Sequence, residues 1–314
     1  MEKRWVDYRD QVVLLKQRGL RVDNPDDCEH FLSVVNYYRF SGYFRYWQVA
    51  PIAGDNRFLP GANFDEVKHV YLEEQELSET CADALRRVEV MLRTRIAHAY
   101  GSLVTEKGGF AEGIGLDMEA NPRTYVQNHI LMDLSRSKEA FVKHYRKPGS
   151  RVEGAYPAEL FSEMPIWVAV EAFSFGTLSR FLAASTKSGT AQAVAESLDV
   201  SPRVLPSQVR SFVYLRNRIA HQARLWNHSV LDTPGLLRNT SRRAKQQWGA
   251  FEEMSVFKIL VALDIILKNS GLYMNWLQTA IMPMFADFEI FRQGITHPRK
   301  YGDPKIIELI SRNR

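Results

Sequence analysis

Asn63 to Tyr100 reads NFDEVKHVYLEEQELSETCADALRRVEVMLRTRIAHAY and contains neither glycine nor proline. Apolar side chains recur at Val67, Val70, Tyr71, Leu77, Cys81, Ala84, Leu85, Val88, Met91, Leu92 and Ile96. That spacing predicts one long amphipathic helix with a stripe turned to a core. Strand patterns are scarce elsewhere, so the chain reads as mainly α. Past this helix, Gly101–Gly115 holds five glycines and reads as a loop, as does the stretch from Lys147-Pro148-Gly149-Ser150 to Pro157. Ala158–Ala184 is largely apolar, with Pro165 placed to open a helix and Gly176 either tolerated inside it or marking a break. Ala191–Leu198 reads as a short helix. Ser201-Pro202 suits an N-cap followed by a first-turn proline; Pro206 would interrupt that helix, and Ser207 would cap a run through His221. Gln246–Lys268 reads as helix again and Gly294–Pro304 as loop.

The composition excludes several classes. At 45% hydrophobic and 11% aromatic residues, the 314-residue chain has enough apolar surface to bury a sizeable core, which argues against intrinsic disorder. Cys28 and Cys81 are its only cysteines, so it is not a disulfide scaffold, and no Cys/His cluster suggests structural zinc. MEKRWVDYRDQ at the start lacks the apolar run of a signal peptide. The most apolar stretches, Met164–Ala184 and Val256–Leu267, are interrupted by Glu171 and Arg180 and by Lys258 and Asp264. The expectation is a cytoplasmic protein with no membrane span, no metal and no cofactor.

Charge is unevenly spread. From Val200 to Phe251 the basic residues are Arg203, Arg210, Arg216, Arg218, Arg224, Arg238, Arg242, Arg243 and Lys245, against Asp232 as the one acid. The stretch carries +8 of a net charge of +5, which leaves −3 for the rest of the chain. So concentrated a positive segment points to a polyanion such as nucleic acid. Near the other end, Phe31, Tyr37, Tyr38, Phe40, Tyr43, Phe44, Tyr46 and Trp47 crowd together beside Arg39 and Arg45. Two readings fit this segment. It is core with its rim, or aromatics and guanidiniums that stack and clamp single-stranded bases.

The sharpest feature is an internal echo. Val90-Met91-Leu92-Arg93-Thr94-Arg95-Ile96-Ala97-His98 matches Val213-Tyr214-Leu215-Arg216-Asn217-Arg218-Ile219-Ala220-His221 at seven of nine positions. Five helical steps of 100° set Arg216 and His221 about 140° apart, whereas Asn217 and His221 share a face. A working site therefore needs a distorted turn or a second motif facing the first, within the chain or across a two-fold dimer. Histidine can exchange protons with a ribose 2′-OH or a leaving 5′-oxygen near neutral pH. Arginine can hold the charge that develops on the phosphate. These groups suffice for RNA cleavage without a metal.

Arg216-Asn217-x-x-x-His221 also resembles the R-x4–6-H motif of HEPN ribonucleases. Around it the chain is similar to bacterial abortive-infection Abi proteins of the AbiD/AbiF type. The similarity is carried by Leu15-Lys16-Gln17-Arg18-Gly19-Leu20, Val35-Asn36-Tyr37-Tyr38-Arg39-Phe40-Ser41-Gly42-Tyr43 and Arg87-Val88-Glu89-Val90. It continues in Met164-Pro165-Ile166-Trp167, Phe175-Gly176-Thr177-Leu178-Ser179, and Leu215–His221 running into Arg224-Leu225-Trp226-Asn227. The resemblance implies a HEPN-like helical bundle over residues 61–290. An N-terminal aromatic-rich helical extension over 1–60 and a C-terminal tail over 291–314 complete the expected organisation. It implies a role in phage defence or as a toxin, RNA as substrate, and a non-coding RNA as a bound partner. Thr94 stands where the second motif has Asn217, a departure that weakens Arg93 and His98 as catalytic residues.

The expected roles follow. His221 is the general acid or base, Arg216 binds the scissile phosphate and Asn217 orients the histidine or the RNA, with Arg93 and His98 completing a composite centre. Arg210, Arg218, Arg224, Arg242, Arg243, Lys245, Arg39 and Arg45 contact RNA. The alternative is a defence or regulatory protein that binds RNA without cutting it.

Overall fold

The computed structural model describes residues 5–117 and 125–312. It is 63% helical, with sixteen α-helices and one two-stranded sheet among the described residues. The N-terminal part comprises α1 (Tyr8–Gln17), α2 (Pro25–Val34), α3 (Tyr37–Phe44) and the hairpin β1 (Gln48–Ala50) and β2 (Asp55–Phe58). Next come α4 (Phe64–Leu103), α5 (Gly109–Glu112), α6 (Val126–Arg136), α7 (Ala140–Tyr145) and α8 (Ile166–Ala169). The rest is α9 (Phe175–Ala184), α10 (Thr190–Ser197), α11 (Leu205–Ala220), α12 (Arg238–Trp248), α13 (Val256–Asn269), α14 (Met282–Phe285), α15 (Glu289–Thr296) and α16 (Pro304–Arg312).

The long helix is the axis of the molecule. Asn63 caps it by accepting the Asp65 N–H at 2.6 Å, and Asp65 and Glu66 complement the helix dipole in the first turn. Val67, Val70, Leu77, Cys81, Ala84, Leu85, Val88, Leu92 and Ile96 are all buried along one stripe. At 1.5 Å per residue its 40 residues extend about 60 Å. α4 runs past Gly101, where a loop was expected, because α8 packs across it there. Ile166 lies 3.4 Å from the point where a Cβ on Gly101 would sit, so packing overrides the weak helix propensity of glycine.

Other boundaries also move for local reasons. Pro165 does precede α8, but the apolar run then breaks, and Ser174 caps α9 by accepting the Thr177 N–H at 3.1 Å. Gly176 is inside α9. Ser201 heads a turn and not a helix. α11 opens at Leu205 with Pro206 in its first turn, where a missing N–H costs nothing, and Ser207 donates to the Val204 carbonyl within the helix. Gln246–Lys268 is not continuous: Gly249, with φ of 92°, ends α12, and Ser255 caps α13. α15 continues to Thr296 through Gly294, and α16 buries Ile306 and Ile310.

The aromatic-rich N-terminal segment is mostly core, with Tyr38 exposed on its surface. Phe31, Phe40, Phe44 and Phe64 meet edge to face at 5.0–5.8 Å, and Tyr43, Tyr46 and Trp47 surround the fully buried Trp226. α16 packs against the turn Arg45–Trp47, whose Tyr46 and Trp47 in turn pack on Trp226, so the N-terminal aromatic segment and the last helix meet near the residues that follow α11.

Candidate functional site

α9 and α11 pack against each other and against α4, and their outer faces border a cleft of about 690 Å³. From α11 it receives Arg210, Val213, Tyr214, Asn217, Arg218 and His221, the stripe expected of one helical face. From α9 it receives Gly176, Ser179, Arg180 and Ala183, at matching spacing. Asp117 and Asp232 complete its charged lining. Each carboxylate already has a cation: Asp232 pairs with Arg210 at 3.3 Å and Asp117 with Lys187 at 3.7 Å. Arg180 and Arg218 thus give the cleft a positive side suited to phosphate, with the exposed His221 beside them.

His221 is the C-cap of α11. The chain turns sharply after it: Gln222 takes up the left-handed conformation at φ of 50°, its N–H donates to the Ile219 carbonyl and that of Ala223 to Arg218, both at 2.8 Å. This paired-bond cap normally uses glycine. Here the Gln222 carbonyl is held from outside by Arg39 Nη1 at 2.6 Å.

Arg216 is not in the cleft lining. Its Nε lies 4.0 Å from Glu89 Oε2 and its guanidinium 5.7 Å from the centre of the Phe175 ring, on the side of α11 that faces α4. Glu89 also pairs with Arg93, whose side chain is only 11% exposed and donates to the carbonyls of Val170 and Phe173. The arginines of both motifs therefore meet, but on a shared carboxylate and not on an open site. His98 is exposed on α4 nine residues beyond Glu89, which is half a turn round the helix. The expected composite centre is not assembled within one chain, since neither Arg93 nor His98 reaches the cleft.

A family model described as Abi-like protein matches residues 30–227. The chain belongs to the Abi-like family. The match takes in α4, α9 and α11 and ends at Asn227, just past the cap described above. Membership points to a role in phage defence. No curated protein and no solved structure matches the chain.

In this Abi-like chain the residues after His221 rest on a seat that sequence reasoning missed. The fully buried Glu74 accepts from the N–H groups of Leu225 (3.0 Å) and Trp226 (2.7 Å) and from the Tyr43 hydroxyl (2.8 Å). Burial pushes the Glu74 pKa up, while those donors and the nearby Arg224 pull it back. Arg224, expected on RNA, is turned inward instead: it donates to the Gly42 carbonyl and to Tyr301 Oη at 3.2 Å, with its guanidinium 5.2 Å from the centre of the Tyr46 ring. Arg45 is likewise occupied, donating to the Pro51 carbonyl at 2.9 Å beside the ring of Tyr301. Arg39, on the Gln222 carbonyl, and Arg224, on the Gly42 carbonyl, thus fasten the segment after His221.

Arg242, Arg243 and Lys245 are exposed on α12, a helix with Ala244 as its buried residue. Arg238, Arg242 and Lys245 line a second concavity of about 900 Å³, where Glu253 is the one acid. The cleft holds further residues with a chemical use. Arg180 reads in the sequence only as a charge interrupting an apolar run. Tyr214 hydrogen-bonds Nε2 of His228, whose pKa is lowered to about 4 by burial and then by the charges of Arg218 and Arg224. No helix among the described residues is long and apolar enough to cross a membrane, and none of them form a group of three or more His, Cys, Asp or Glu placed to hold a metal.

Proposed function

We propose that this Abi-like chain is a metal-independent endoribonuclease of phage defence and that the α9–α11 cleft is where it holds RNA. The observation that carries this reading is the exposed His221, sharing one helical face and one cleft with Asn217 and Arg218, with Arg180 opposite. His221 exchanges a proton with the ribose–phosphate link, and Asn217, one turn before it, orients the ring or the RNA. Arg180 and Arg218 grip the phosphate and hold its developing charge. Arg216, with its Nε 4.0 Å from Glu89 and outside the cleft lining, is assigned a positioning role on α11 in place of a direct phosphate contact. The exposed basic face of α12 holds flanking RNA through its backbone, and a co-purifying non-coding RNA would be retained there.

The test is cleavage of a cellular RNA pool and of a defined single strand. Wild type is expected to cut in EDTA, leave a 2′,3′-cyclic phosphate, and spare a strand whose scissile ribose lacks its 2′-OH. His221→Ala is expected to lose cleavage by a factor of at least about 100 and still bind RNA. RNA retention without cleavage by the wild type under every condition would instead establish the binding protein that the α12 face supports.

A further inference from the structure

Cleavage by 2′-OH attack needs two proton transfers, one from the 2′-oxygen and one to the departing 5′-oxygen. His221 accounts for one. His98, the other histidine of the echo, lies outside the cleft. The cleft does contain a second group able to move a proton. Tyr214 lines it two turns before His221 on the same face of α11, half-buried, with its hydroxyl on Nε2 of His228. The two rings lie nearly parallel, 17° apart with centroids 6.0 Å apart. The Arg218 guanidinium is 6.0 Å from the centre of the Tyr214 ring, and Arg218 and Arg224 are the charges that act on His228. A phenol in that setting has an imidazole at its hydroxyl and a positive charge near its ring to favour the phenolate left when it gives up its proton.

We propose that Tyr214 is the general acid of this cleft, with His228 as the positioning residue behind it; the assignment rests on the ribonuclease reading above. His221 takes the proton of the 2′-OH, and the 2′-oxygen bonds to phosphorus. The bond from phosphorus to the 5′-oxygen breaks, and that oxygen takes the Tyr214 proton. The phenolate is held by the Nε2–H of the neutral His228, with the charge of Arg218 close to its ring. Once the products leave, the proton on His221 returns to Tyr214 through water, and every proton is accounted for.

The experiment compares an ordinary RNA with one whose scissile 5′-oxygen is replaced by sulfur, a leaving group that departs without a proton. On ordinary RNA, Tyr214→Phe is expected to lower kcat by about 100-fold or more while leaving Kd for RNA within about threefold of wild type. On the sulfur substrate Tyr214→Phe is expected to recover to near the wild-type rate, while His221→Ala stays slow because its proton acceptor is still missing. His228→Gln, which keeps an N–H donor, is expected to retain most of the rate on ordinary RNA, and His228→Leu to lose it and recover on the sulfur substrate. A Tyr214→Phe variant as fast as wild type on ordinary RNA, or equally impaired on both substrates, overturns the assignment. If wild type cuts neither substrate, the ribonuclease reading falls and this one with it.

Discussion

At the scale of single residues, several of the most informative groups do work that their identity alone does not suggest. Arg216, Arg93 and Arg224 are guanidiniums in a basic protein, yet each is turned onto a carboxylate or onto carbonyl oxygens of its own chain. The strong donors of arginine satisfy buried acceptors as readily as they satisfy phosphate. His228 leads to a prediction at this scale. Its folded pKa of about 4 lies below the ordinary histidine value near 6.5, so the unfolded chain binds a proton that the folded one refuses between those values. Its contribution to stability is therefore full above about pH 6.5 and declines as pH falls toward 4. Thermal melts at pH 7 and pH 4.5 should show a larger loss for wild type than for His228→Gln, and equal losses would contradict the assignment of this histidine as neutral.

At the scale of elements, α12 differs from every helix that borders the cleft. It has four basic side chains, no acid, and one buried residue, so little but solvent and its own turns constrains its outer face. A surface of that kind binds polyanions by counterion release. Replacing Arg242, Arg243 and Lys245 together with alanine should weaken single-stranded RNA binding at low salt. It should also flatten the plot of log K against log salt by roughly 0.7 for each phosphate no longer neutralised, about two units in all. Fluorescence anisotropy across a salt series measures this, and an unchanged slope would remove α12 from the interface. α11 is the opposite case. Its inner face is locked by Leu205, Val209, Phe212 and Leu215 in the core, so its outer stripe is presented rigidly.

At the scale of the whole molecule, the N-terminal and C-terminal parts converge on the seven residues after His221. Tyr43 reaches them through Glu74, Arg39 through the Gln222 carbonyl, and Trp47 through the stacked Trp226. Gly294 of α15 supports the same tryptophan so closely that a Cβ there would lie 2.1 Å from its indole nitrogen. Removing residues 1–47 should therefore leave a chain without cooperative unfolding, because the buried Glu74 loses the Tyr43 donor and Trp226 loses the rings of Tyr43, Tyr46 and Trp47 packed against it. Circular dichroism melts and solubility report this. A truncated chain that melts sharply and merely binds RNA less well would restore the aromatic segment as an RNA clamp.

What the amino-acid sequence determined by itself is what depends on local periodicity and composition. The long helix α4 up to Tyr100, the helical character of the chain, the apolar character of its stripes and the concentration of positive charge in residues 200–251 are all legible there. So is the placing of Asn217 and His221 on one face, since helical geometry alone sets it. Tertiary structure decided which charges remain available. Whether a guanidinium meets phosphate or Glu89, and whether an aromatic run is a clamp or the seat of Trp226, depends on partners far apart along the chain. Examples are Arg39 with Gln222 and Glu74 with Leu225, whose meeting no local pattern encodes. Long-range packing brings both pairs together, and in the second the buried Glu74 must find a partner wherever the fold brings one.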